Sequence, residues 1–126
     1  MIERLLYVDR SLVTDERIDR ALKFARRPET GVVLHETARS LSTIRGVRSE
    51  WRDELIAAVS KHLRPTLIAW GDSDRILPAK QTEAAHQLLP HARVHLFKGV
   101  GHMAQVESAE KFAELTLDFL RSHADA

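Results

Sequence analysis

Residues 66–70, TLIAW, form a short apolar run held between Pro65 and Gly71. Five residues are too few for a core helix, and the run shows no polar alternation, so it reads as a strand buried on both faces. Strands of that kind belong to parallel sheets, where the next strand arrives only after a crossover. The sequence supplies one: AKQTEAAHQLLP is helical in character, with Pro78 near its start and Pro90 at its stop, and ARVHLF follows as a second strand. The final stretch, SAEKFAELTLDFLRSHA, is expected to be a helix capped by Ser108, with Phe112, Leu115, Phe119 and Leu120 inward. Strand, helix, strand, helix is the pattern of βαβ units on a parallel sheet.

The residues before Pro65 read differently. LVTDERIDRALKFARRP has Thr14 as N-cap, Asp15 and Glu16 in the first turn, Arg26 and Arg27 in the last, and Pro28 beyond. Ile18, Leu22 and Ala25 mark its apolar face. A second helix is expected over TGVVLHETARSLSTIR, where Val33, Leu34, Ala38, Leu41 and Ile44 recur at helical spacing until Gly46, with Gly31 weakening its start. A third covers SEWRDELIAAVSKHL, capped by Ser49, with Trp51, Leu55, Ile56, Val59 and Leu63 in one stripe. The predicted organisation is one compact unit with a helical part, residues 1–64, and a βαβα part, residues 65–126.

Bulk properties fit a single domain: the chain has 126 residues, 44% of them hydrophobic. A formal net charge of +1 gives no long-range attraction to nucleic acid or an anionic membrane. No cysteine is present, which removes disulfides, thiolate chemistry and Cys-based zinc sites. Neither a signal-peptide core nor a membrane span is legible, so a soluble cytoplasmic protein is expected.

Chemistry is expected on two loops. In open parallel sheets, ligands bind beyond the carboxyl ends of the strands. Asp74, in GDSDRILP, follows the first strand, and His102, in GVGH, follows the second. A carboxylate that accepts the imidazole Nδ1–H fixes the tautomer and leaves Nε2 free to take a proton. Gly71 would allow a sharp exit from the strand, Gly99 and Gly101 would supply positive φ, and Ser73 or Asp72 would aim Asp74 through a local turn bond. The plainer alternatives are a turn-capping aspartate and a glycine-loop histidine. Glu107 fits either a support of the histidine loop or a helix-start charge.

The segments RPTLIAWGDSDRILP and LLPHARVHLFKGVGHMAQVESAEKFAELTLDFL resemble the C-terminal portion of α/β-hydrolase fold enzymes, with strand-G-x-x-D-x-x-x-P followed by strand-G-H-x-x-x-x-E. LLYVDRSLVTDERID looks like the lid of the carbon-carbon bond hydrolases that act on meta-cleavage products. The resemblance implies an α/β class, a partial α/β-hydrolase fold with a lid-like helical half before two parallel strands and flanking helices. It also implies catalytic roles for Asp74 as triad acid and His102 as base, and a small-molecule ester or aromatic-acid-like substrate. Met103 stands where those enzymes usually carry Trp, so esterases and other lid-bearing hydrolases stay open.

The family nucleophile sits in a G-x-S-x-G elbow. The glycines here are Gly31, Gly46, Gly71, Gly99 and Gly101, and no two are four positions apart. Ser73 and Ser108 would lack such an elbow. The expectation is therefore a triad acid and base without their nucleophile, inactive alone, and completed by a nucleophile-bearing segment. The alternatives are a non-catalytic truncated remnant that dimerises and a small-ligand binding module. A homo-oligomer or intimate partner is expected to cover the free edge of TLIAW. His35, His62, His86, His91, His95 and His123 have no HExxH or Cys companion, so neither metal nor cofactor is expected.

Overall fold

The computed structural model describes residues 3–124. They form two compact units: the described residues through Val13 together with those from His62 onward, and Thr14–Lys61. The division before His62 lies close to the sequence boundary after residue 64. The division after Val13 has no sequence counterpart, because hydrogen bonds to backbone groups, not an apolar pattern, tie the opening segment to the loop that carries His102 and to Glu107.

In the strand-bearing unit, β3 (Leu67–Gly71) and β4 (Arg93–Phe97) pair in parallel, in register from Leu67↔Arg93 to Gly71↔Phe97. The crossover contains α5 (Gln81–Leu88). Helices α6 (Ala104–Glu107) and α7 (Ala109–Arg121) follow β4. The opening segment contributes α1 (Glu3–Leu6) and a single 3-10 turn at Arg10–Leu12. Phe97, Val100, Ala104 and Leu115 form the core, with Leu67, Ala69 and Phe112 packed against it. The Phe97 and Phe112 rings stack at 5.9 Å.

Two expectations for α7 are corrected. Leu120 is 58% exposed, because five residues of helix turn it roughly 140° away from Leu115, whereas Phe119, one position nearer, stays half-buried. Ser108 occupies the N-cap position but its side chain makes no capping bond; its backbone N–H instead closes α6 by donating to the Ala104 carbonyl. Among the described residues, β3 is paired on one edge only.

The helical unit holds α2 (Asp15–Ala25), α3 (Pro28–Leu41), a hairpin of β1 (Ser42–Thr43) and β2 (Gly46–Val47), and α4 (Ser49–Val59). Thr14 caps α2 as expected, its hydroxyl accepting the Arg17 N–H at 3.3 Å. Pro28 does not merely end α2. It opens α3 at a first-turn position, where a missing N–H costs nothing.

The second helix stops at Leu41, short of the Gly46 boundary read from periodicity. Ser42 is extended, its hydroxyl donates back to Ala38, and Gly46 turns the chain at φ 116°. Ile44 accordingly sits on a fully exposed hairpin tip instead of a helical stripe. Ser49 is the first residue of α4 and Arg48 holds the cap position, without a side-chain capping bond. Leu63 lies past the end of α4 and is 87% exposed.

Candidate active site

Because β3 and β4 run parallel, the loops after Gly71 and after Phe97 leave the same edge of the sheet. Close packing of these loops depends on glycine. A Cβ on Gly71 would lie 2.1 Å from the Gly101 carbonyl oxygen and 2.3 Å from that of Val100. Gly99 adopts φ 69°, as expected. Gly101 does not share that conformation: glycine is required there by crowding, since a Cβ would lie 2.7 Å from the Leu6 carbonyl oxygen.

This packing brings Asp74 and His102 together, with Asp74 Oδ2 and His102 Nδ1 2.8 Å apart. The aspartate side chain is 3% exposed and the histidine side chain 28%. The other carboxylate oxygen, Oδ1, accepts the N–H groups of Ile76 at 2.8 Å and Leu77 at 2.9 Å. Asp74 therefore aims itself, through its own turn, and not through Ser73 or Asp72 as expected. Burial pushes the Asp74 carboxyl pKa up, but the Leu77 N–H, the His102 ring and the Ile76 N–H outweigh it and hold the group below its ordinary value.

Asp72 does something the sequence reading missed. Its Oδ1 accepts the Gly99 N–H at 2.8 Å and the Ser73 hydroxyl at 2.8 Å, bridging the acid loop to the histidine loop. The backbone adds two ties, Asp72 N–H to Phe97 and Ser73 N–H to Val100, each at 3.0 Å. The Ser73 hydroxyl lowers the Asp72 pKa most, and the Gly99 N–H adds to it. Asp72, expected only to aim Asp74, instead ties the two loops together, while Asp74 alone meets the His102 ring.

Glu107 accepts the Gly101 N–H through Oε2 at 2.6 Å and the Asp9 N–H through Oε1 at 2.5 Å. The Leu6 carbonyl accepts the N–H groups of His102 at 2.9 Å and Met103 at 3.3 Å. A backbone acceptor carries no side-chain signature, so the contribution of Leu6 was invisible beforehand.

A recess of about 160 Å³ beside the pair is lined by Trp70, Leu77, Ala104, Gln105 and Phe112, with Asp74 and His102 on its wall. The Trp70 indole N–H donates to the Leu77 carbonyl at 3.1 Å, fixing the ring. With Nδ1 committed to the carboxylate, Nε2 is the nitrogen able to exchange a proton with a reacting group. Ser73 is turned to Asp72, and no non-glycine residue among those described has positive φ. No cluster of three or more metal-ligating side chains occurs among the described residues.

The chain belongs to the α/β-hydrolase fold family, whose profile matches residues 10–109. It is 34% identical over 113 residues to a 2-hydroxy-6-oxo-6-phenylhexa-2,4-dienoate hydrolase of Burkholderia cepacia, covering 89% of this chain and 37% of that protein. It is 33% identical over 118 residues to the dihydrolipoyllysine-residue acetyltransferase component of the acetoin cleaving system of Pseudomonas putida, covering 94% of this chain and 29% of that protein. The chain thus spans about a third of the length of these relatives. A meta-cleavage product hydrolase from Pseudomonas fluorescens IP01, CumD, shares the fold at a TM-score of 0.74 and 24% identity, over 94% of this chain and 43% of that one. Among the described residues, no helix is long and apolar enough to cross a membrane.

Proposed function

We propose that this chain supplies the acid and base of a hydrolase that cleaves an ester or a carbon-carbon bond of a small, aromatic-derived substrate. The observation that carries the reading is the 2.8 Å contact between His102 Nδ1 and an aspartate whose second oxygen is held by two backbone N–H groups. His102 Nε2 takes the proton of a nucleophilic hydroxyl, Asp74 stabilises the imidazolium, and the same proton passes on to the leaving group. The substrate class comes from similarity to the dienoate hydrolase. In this reading Thr14–Lys61 serves as lid.

The serine must come from another segment, since the sequence contains no G-x-S-x-G elbow. The same segment would pair with the open edge of β3; without it, a second copy of the chain takes its place. Light scattering on the isolated chain is expected to show a dimer, and a monomer at micromolar concentration counts against that part.

The catalytic reading is tested by mixing the chain with a polypeptide that bears an α/β-hydrolase elbow and its preceding strands, then following p-nitrophenyl ester and dienoate cleavage. The mixture is expected to turn over, and His102→Ala to lower the rate by about a thousandfold or more. A rate equal to that of the elbow polypeptide alone, or one indifferent to His102→Ala, overturns the reading.

A further inference from the structure

We infer that Glu107 is a positioning residue for His102, acting as the knot of a backbone ring that fixes the histidine-bearing peptide; this rests on His102 being the base proposed above. The half-buried Glu107 carboxylate is committed to two N–H groups far apart in the chain, Gly101 and Asp9. The Gly101 N–H belongs to the residue directly before His102. The Asp9 N–H belongs to the opening segment, whose Leu6 carbonyl in turn accepts from His102 and Met103.

The connections therefore close on themselves: Gly101 to Glu107, Glu107 to Asp9, along the chain to Leu6, and from Leu6 back to His102. Every backbone N–H from Gly101 through Met103 has an acceptor in this ring. Glycine at 101 is part of the arrangement, since a Cβ there would lie 3.1 Å from Glu107 Oε2 and 3.2 Å from the Val8 nitrogen. A carboxylate suits the position because two donors arrive at two separate oxygens, whereas an amide has one accepting oxygen. A helix-start charge interaction does not account for this geometry, because neither donor belongs to α6 or α7.

The test follows the His102 ring by nitrogen-edited NMR in the full chain. The wild type is expected to show a single Nδ1–H tautomer with a slowly exchanging proton, lost in Asp74→Asn. Glu107→Ala is expected to keep its circular dichroism while the tautomers mix and Gly101 amide exchange accelerates by about tenfold or more. Glu107→Gln, with one accepting oxygen left, is expected to restore the signature in part.

If Glu107→Ala does not fold, Asp9→Pro compared with Asp9→Ala decides: both lose the carboxylate that accepts from Ser11, and proline, at a position already at φ −71°, additionally removes the N–H. Proline is expected to disturb the His102 signature and alanine not. An unchanged His102 tautomer in folded Glu107→Ala, or equal spectra for the two Asp9 variants, overturns the inference alone. A wild type without the Nδ1–H tautomer overturns the underlying assignment of His102 and this inference with it.

Discussion

The two units are built from equally good local signals but finish differently. In Thr14–Lys61, α2 has a capping threonine, acidic residues in its first turn and an amphipathic stripe, yet no residue of that unit is buried. In the strand-bearing unit, similar helices pack on a parallel pair and bury Phe97, Val100, Ala104 and Leu115. Local propensity is thus enough to shape a helix, while burial requires a second layer against which an apolar face can be closed. The candidate site belongs to the unit with the core, where its side chains are held from several directions.

The sharpest way to break this contrast is Gly71→Ala. The new methyl meets two backbone carbonyl oxygens, neither of which can swing aside, so the acid and histidine loops must separate. A loss of about 4 kcal/mol or more is expected, a range that few mechanisms reach, overpacking and strain against a fixed backbone among them. The sequence has two tryptophans, Trp51 in α4 and Trp70 in β3, so each unit can be followed by its own fluorophore. In a Trp51→Phe background, Gly71→Ala is expected to unfold the Trp70 environment at much lower denaturant.

Next in size is the core. Leu115→Ala, at a residue 7% exposed, is expected to cost about 2–5 kcal/mol by leaving a cavity under Phe97. Leu34→Ala, at a residue 64% exposed in α3, is expected to change stability by no more than about 0.5 kcal/mol. Urea midpoints read at Trp70 and Trp51 check the pair. A large loss from Leu34→Ala would mean that the helical unit has a core after all, and the comparison would fail.

Acid titration gives a smaller effect with a definite sign. The Asp74 pKa is lowered on folding, so the unfolded chain takes up this proton first. Its contribution is complete above the ordinary aspartate value, about 3.9, and is lost as pH falls through the folded-state value. Asp74→Asn is expected to remove this component and to cost roughly 1–3 kcal/mol at neutral pH through weakened bonds to Ile76, Leu77 and His102. Unfolding curves at pH 7 and at pH 3 read the difference; an Asp74→Asn variant with the same acid dependence as wild type would contradict it.

What could be read in advance divides along the same line. Apolar runs and Pro–Gly punctuation were enough for β3, β4 and the helices between and after them, and the spacing of Asp74 and His102 behind two parallel strands brought both to one edge. The supports around them were legible only in part: Glu107 stood as one of two readings, a support of the histidine loop or a helix-start charge, but its donors were not foreseen. Asp72 and Glu107 act on N–H groups 27 and 98 residues distant in sequence, and Leu6 acts through its carbonyl. In the helical unit, the misreadings at Pro28, Ile44 and Ser49 were all at element ends, where one turn residue decides between continuing a helix and starting a hairpin. Apolar periodicity also overstated what that unit buries, since period reports which residues share a face and not whether anything covers it.

The smallest effect runs in the opposite direction. Gly31 lies inside α3, and a Cβ there would meet nothing within 4 Å. Its backbone is helical and needs no special φ, so glycine contributes only the entropy lost on ordering it. Gly31→Ala is therefore expected to stabilise the helical unit by about 0.5–1 kcal/mol, seen as a higher urea midpoint at Trp51 with little change at Trp70. The same substitution at Gly71 is expected to force the two loops apart. If Gly31→Ala destabilised instead, α3 would have to be covered by something its exposed face does not reveal, and the difference between the two units would be one of assembly and not of sequence.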